Sequence, residues 1–403
     1  MGIPVLESAR RNRATLRGRS AGRHRYGRCQ RITKQEGKLG MGYKLYWLDT
    51  RTGRIGAPIE ATTASWSIEL NKTEDLSFTV HKPHLATIQP YLYTPPTGGA
   101  LLTHTGQDGI EYPLIAGPIA DWGNETRNTL EIKAHGVRYF FEHRTIWETL
   151  NFQNTTLGEI AWALAVHGMN RPGGSFPLVH GTISDQGGRQ RTYEHWNVAN
   201  NIISKRWSEL SKVANGPDIM IRPRWANPEH TAIEWAFVHG NEHYPYISQD
   251  WQPDFDTTAP SGEIGEVTVT SSAKGLVNRI WYTGAGEGAG TAIAYAENLD
   301  NVQAGAPFLE AVLSDADQDN VEVLRQKAAG ALAVRQAMTD QVTLKFPANS
   351  IKTPLGAFFV GDIASVTLTG WLSIPAGTRD MRIIKMDGNL EPTVTIDFQE
   401  AQW

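Results

Sequence analysis

His239-Gly240-Asn241-Glu242-His243 has the H-x-x-E-H spacing of one class of zinc peptidase. That chemistry needs a helix, so that both imidazoles project from one face toward the metal. Gly240 and Asn241 lie inside the motif and Pro245 follows closely, so the stretch reads as a polar loop after a strand. A second candidate is Gly284-Ala285-Gly286-Glu287-Gly288-Ala289-Gly290, which contains G-x-G-x-x-A after a strand-like run. A dinucleotide site also needs a helix whose N-terminus receives the pyrophosphate. Thr291–Ala296 is short and Asn298-Leu299-Asp300-Asn301 breaks it, so a hairpin or exposed loop is expected. Asp254 and Asp256, and Asp315, Asp317 and Asp319, fall in polar loops. They read as solvated carboxylates, with loose Ca²⁺ binding through carboxylate oxygens as the alternative. The chain has no G-x-x-x-x-G-K-[ST], and residues 41–403 have no G-x-S-x-G. No catalytic residue, cofactor-binding residue, metal ligand or cofactor is therefore assigned, and a non-enzyme is expected.

Composition narrows the classes further. The single cysteine, Cys29, excludes an intramolecular disulfide and any multi-cysteine metal site within one chain. The formal net charge of −4 hides an asymmetry. Residues 1–40 hold nine Arg, two Lys and two Glu (+9), so residues 41–403 carry 27 basic and 40 acidic side chains (−13). An acidic body lacks the clustered cations that phosphate contacts require. No apolar run approaches the roughly 18 residues of a membrane span, and a soluble protein is expected. The basic front reads as an unstructured tail, or as sequence upstream of Met41, with an arm that docks on an acidic neighbour or on nucleic acid as the sharper alternative.

The elements that must position any site are mostly strands. Trp66, Ile68 and Leu70 alternate with Ser65, Ser67 and Glu69, a period of two. Phe78 and Val80 repeat it, and Leu114–Ile119 and Leu130–Ala134 form a long hairpin with a bulge or edge at the prolines. Thr156-Leu157-Gly158-Glu159 matches a capping box ahead of an apolar helical stripe at Leu157, Ile160, Ala161, Leu164 and Ala165. A loop is expected over Asn170–Gly188, a second helix over Asn197–Ala214, and strands at Asp218–Ile221 and Ile233–Phe237. A linker is placed at 241–262. Strands resume at Val267–Thr270 and Asn278–Tyr282. A helix opened by Asp319 runs over Asn320–Met338. Strands at Val342–Phe346, Ile363–Leu368, Met381–Met386 and Val394–Phe398 close the chain, the last two joined by a turn at Asp387-Gly388-Asn389.

Trp is abundant, at thirteen residues. Trp66, Trp207, Trp235 and Trp281 read as core. Trp47, Trp122, Trp251, Trp371 and Trp403 lie near turns or ends, where aromatics suit protein interfaces or, as the alternative, sugar stacking.

Several stretches resemble the tail-hub (minor tail) proteins of long-tailed phages, particularly those of actinobacterial hosts. Trp66–Val80 looks like their first barrel strand pair, and Pro113–Ile119 with Leu130–Gly136 is similar to their next segment. Asn278–Gly288 resembles the strand and Gly-rich turn opening their second barrel, and Gly361–Val366, Arg379–Met386 and Glu391–Phe398 resemble the closing strands. The basic front departs from the pattern. The resemblance implies an α+β, β-dominated fold with two β-barrel-like tube domains and a helical insertion. On that reading residues 1–40 are a basic flexible tail, 41–145 the first β-barrel-like domain, 146–262 a mixed helical/β insertion, and 263–403 the second β-barrel-like domain with one long helix at 319–339. It also implies a homotrimer forming a pseudo-hexameric ring at the virion tail tip. Its partners would be the distal tail protein, the tape-measure protein and other tail-tip proteins. The genome would pass through the lumen without specific binding. The alternatives are a tail-tip cell-wall hydrolase using Glu242 and His243, and a carbohydrate-binding adhesin using exposed Trp.

Overall fold

Period-two sequence builds the largest sheet. In the computed structural model, which describes residues 42–258, 263–336 and 339–401, the first strands are β1 (Tyr43–Asp49), β2 (Ile55–Pro58), β3 (Ala61–Glu69) and β4 (Asp75–His81). The short α1 (Lys82–Leu85) precedes β5 (Gly98–Thr105), β6 (Glu111–Glu125) and β7 (Thr129–His135). Next come α2 (Arg138–Glu142), β8 (Leu150–Thr155), α3 (Leu157–Met169), β9 (Leu178–His180) and β10 (Arg189–Tyr193). They lead to α4 (Ile203–Ser211), β11 (Ile219–Trp225), β12 (Ile233–His239), β13 (Asp254–Asp256) and β14 (Val267–Ser272). The last part holds β15 (Arg279–Thr283), β16 (Ile293–Glu297), α5 (Asp300–Gln303), β17 (Glu310–Ser314), α6 (Val321–Arg335), β18 (Thr339–Pro347), β19 (Ile363–Leu368), β20 (Gly377–Asn389) and β21 (Thr393–Glu400). The basic front and Trp403 lie outside the described residues.

Strand makes up 42% and helix 17%, so the fold is β-dominated. One sheet runs β14-β18-β21-β20-β3-β4-β7-β6-β5-β1-β2, with β19 on β20 and β13 on β19. Two long strands turn it. β6 pairs with β5 up to Pro118 and with β7 from Ile119. β20 pairs with β19 through Arg382 and with β3 from Lys385. Register shifts accompany the change of partner along β6, as bulges do where a strand must bend. Among the described residues no sheet closes into a barrel. Inward residues of β3 (Trp66, Ile68), β4 (Leu76, Phe78, Val80), β7, β18 and β21 share one apolar core. Phe255, Phe346, Phe358 and Phe398 meet there at ring separations of 5.4–5.9 Å.

A second core forms between α3, α4 and the three-stranded sheet β11-β12-β9. Its two largest side chains satisfy their indole N–H groups on backbone carbonyls. Trp207 donates to Ala161 O and Trp235 to Ala116 O, each at 2.9 Å. A third, small core lies between α6 and the sheet β16-β15-β17. No described helix is long and apolar enough to cross a membrane.

The elements differ from expectation where polar side chains decide. The expected 170–188 loop contains β9, which pairs in parallel with β12. The helix expected from Asn197 begins at Ile203. Buried Asn201 donates to Glu194 O (2.8 Å) and accepts from Arg206 (3.0 Å), holding the preceding chain out of the helix. Asn320, not Asp319, caps α6 by accepting from Glu322 N at 2.9 Å. Asp387-Gly388-Asn389 extends β20, so the turn falls at Leu390-Glu391-Pro392. The region read as a linker contributes β13 to the large sheet.

Candidate functional site

The H-x-x-E-H residues do not converge. β12 ends at His239, and Asn241 Oδ1 then accepts from the backbone N–H of His243 (2.9 Å) and of Tyr244 (2.8 Å). This Asx-type turn reverses the chain. Glu242 is drawn to Arg189 (3.2 Å), and His243 is exposed.

His239 instead meets residues remote in sequence. β9 and β12 run in parallel with His180 opposite Phe237, so His180 and His239 project from the same face of neighbouring strands. Their Nε2 atoms are 2.9 Å apart. Glu159, in the first turn of α3, places Oε1 3.8 Å from His180 Nε2. The capping box is only half made. Thr156 accepts from Glu159 N at 3.2 Å, but the Glu159 carboxylate takes the N–H of Asp185 at 3.1 Å. Trp162 stacks flat on His180 (4.8 Å, 3° between planes). His239 is buried, and that burial lowers the pKa of its imidazole below the usual range. Its Nδ1 lies 2.9 Å from Gly240 O. Of the three residues only His239 belonged to a recognisable motif. Glu159 was masked by its capping role, and His180 by an unrecognised strand of three residues.

A second polar cluster stands at the same end of β11 and β12. Asp218 accepts from Arg382 Nη1 (2.9 and 3.2 Å) and from Asn71 Nδ2 (3.1 Å), and Arg222 pairs with Asp362 at 2.8 Å. Burial raises the Asp218 pKa, while Arg382 and Asn71 oppose it.

The Gly-rich 284–290 stretch is a hairpin loop between β15 and β16, with Gly286 and Gly288 at φ 118° and 56°. β16 and not a helix follows it directly, so no helix N-terminus faces the loop as a dinucleotide cradle requires. The sheet it serves has one covered and one bare face. Ile280, Ala296, Ala311 and Leu313 pack under α6. On the other face Trp281 lies beside Tyr295 (4.9 Å), with Ile293 and Val312 exposed around them. Arg279 lies over Trp281, Tyr295 and Phe308 at 5.1–5.4 Å and pairs with Glu297 and Glu310. Trp281 thus faces outward, while Trp47 is core. Trp122 and Trp251 are exposed.

No protein-family model matches the sequence, and no curated protein is similar to it. Solved structures align with the chain. A tail protein from Neisseria meningitidis aligns over 89% of this chain and 97% of its own, at 11% identity and TM-score 0.52. A 43 kDa tail protein of a Shewanella oneidensis prophage covers 89% and 97%, at 10% identity and TM-score 0.49. A prophage tail protein from Listeria monocytogenes covers 89% and 94%, at 11% identity and TM-score 0.45.

Proposed function

We propose that the chain is a structural, non-enzymatic component of a phage tail, located in the virion and acting as a hub at the tail tip. The observation that carries this reading is the bare aromatic face of β15, β16 and β17. It sits on a fold shared over nearly its full length with a tail protein. Exposed clustered aromatics around an Arg suit a protein interface. β16 and β17 are edge strands, with backbone groups available to a neighbouring subunit.

In the finer form of the proposal three copies form a ring on the end of the tail tube. The halves of the large sheet that turn at β6 and β20 act as two tube-forming domains (41–145 and 263–403), with 146–262 inserted and 1–40 as a basic tail. The distal tail protein, the tape-measure protein and other tip proteins are the neighbours. An acidic lumen lets the genome pass without specific binding. The actinobacterial host is carried by the sequence resemblance alone. Mass photometry of the full chain, with negative-stain microscopy, tests the ring. Trimers are expected, and Val312→Glu with Tyr295→Glu should release monomers that keep the wild-type circular dichroism. A wild-type chain that stays monomeric at micromolar concentration would defeat the ring.

A further inference from the structure

We propose that Glu159, His180 and His239 bind one divalent transition-metal ion of the zinc class, fastening the first turn of α3 to strands β9 and β12. This goes beyond the tail reading and does not depend on it. The donor atoms of the three side chains all lie within 4.8 Å of one another.

The tautomers are set by the surroundings. Gly240 O can only accept, so His239 Nδ1, 2.9 Å away, carries the proton and Nε2 presents its lone pair. His180 Nδ1 is 3.5 Å from Ser184 Oγ, which can hold the same tautomer there. Two imidazole lone pairs then face each other across 2.9 Å beside a carboxylate. A proton placed on His180 Nε2, or a cation, relieves that arrangement. Backbone-oriented imidazoles are the usual outer support of a bound metal.

The spacing also fits. Tetrahedral zinc with bonds of about 2.0–2.1 Å sets its ligand atoms roughly 3.3 Å apart. The His180–His239 and Glu159–His180 separations of 2.9 Å and 3.8 Å bracket that value, and all three donors lie within 4.8 Å of one another, so side-chain rotation completes the site. Glu159 and His180 are partly exposed, which leaves the solvent side for a water as fourth ligand. Two neutral imidazoles and one carboxylate favour zinc over Mg²⁺ or Ca²⁺, which prefer all-oxygen shells. The chain makes room for this geometry at Gly158, where a Cβ would overlap His239 Nδ1.

The test uses the full chain, stripped with a chelator and titrated with Zn²⁺ by calorimetry and with Co²⁺ by visible absorption. About one ion per chain is expected, with the intense d–d bands of a tetrahedral nitrogen/oxygen site and a rise in melting temperature. His24 and Cys29 in the basic front also have metal affinity, so the variants decide. His180→Gln and Glu159→Gln should each weaken binding by more than about tenfold, at least the loss typical of outer-shell partners. Both should abolish the zinc-dependent rise in melting temperature and leave the metal-free melting temperature near wild type. No saturable binding, or binding and stabilisation unchanged in both variants, overturns the proposal.

Discussion

Two polar clusters stand at the same end of β11 and β12, where Ile219 pairs with His239, and they solve burial in opposite ways. Around Asp218 every partner is complementary: a guanidinium, a carboxamide and, one pair further on, Arg222 with Asp362. Around His239 the three side chains bring electron-pair donors together, with no cationic side chain bonded to them among the described residues. The first cluster sets each charge against its opposite and ties the insertion to the large sheet, because Asp218 precedes β11 while Arg382 lies in β20 and Asn71 follows β3. The second balances only with a proton between the two Nε2 atoms or with a cation. A buried carboxylate and a buried imidazole look alike in a sequence. What separates a structural tie from a binding site is the sign of the groups that face them.

The largest effect should come from breaking the charge-matched cluster. Asp218→Ala leaves Arg382 Nη1 without its two carboxylate bonds and removes an acceptor from Asn71. Arg382 is partly solvated, so the cost falls at the lower end of the range for broken buried pairs, about 3 kcal/mol. Urea denaturation measures it. A loss below about 1 kcal/mol, the value of an exposed pair, would erase the contrast between the clusters.

The sequence exposes the elements of these clusters better than their convergence. Alternation at Trp66–Leu70, Leu130–Ala134 and Val394–Phe398 marks strands because one face of each must be buried. The stripe from Leu157 to Ala165 likewise marks α3. Which strands become neighbours is a long-range matter. β3 meets β20 more than 300 residues later in the chain, and no local pattern encodes that pairing. The same limit hid the cluster at His239. Its spacing to Glu242 and His243 is local and visible, but the partners it meets come from a helix cap and a three-residue strand. The bare face of β15–β17 was hidden for a different reason. Trp281 and Tyr282 are both large and aromatic, so composition does not say which one α6 covers.

Glu74 offers an intermediate case, a buried carboxyl with a cation near it but no completed pair. Its Oε2 has no hydrogen-bond partner, while the adjacent Arg138 spends Nη1 on Ile219 O at 3.1 Å. Burial, opposed in part by Arg138, pushes the Glu74 pKa from 4.5 up to about 7. The folded state therefore holds this proton more tightly than the unfolded chain does. Its contribution is fully present below pH 4.5 and is lost as pH rises to about 7. At about 1.4 kcal/mol per unit the loss amounts to at most roughly 3–4 kcal/mol. Urea midpoints for wild type should fall across that window relative to Glu74→Gln, whose side chain stays neutral. Parallel profiles for the two proteins would mean that Arg138 already neutralises the carboxylate, placing Glu74 with the Asp218 cluster.

The finest distinction concerns Gly158, the second residue of α3. Replacing Gly by Ala in a helix ordinarily gains about 1 kcal/mol or less. Here the added Cβ would overlap His239 Nδ1 and crowd Gly240 O, and the His239 ring is buried with no flexible end to move. Overpacking of this kind typically costs about 1–3 kcal/mol, so the net effect should be a modest loss of stability. Its diagnostic value lies in what else changes. Displacing His239 pulls Nε2 away from His180 and Glu159, so Gly158→Ala should lose zinc-dependent stabilisation while leaving the Asp218 cluster intact. Gly188→Ala, where an added Cβ meets nothing within 4 Å, serves as the neutral control. Pairing Gly158→Ala with His239→Ala in a double-mutant cycle isolates the clash, because removing the imidazole removes the overlap. Additive stability losses in that cycle would show that the helix end does not press on His239. The close approach that orients this imidazole would then have no energetic weight.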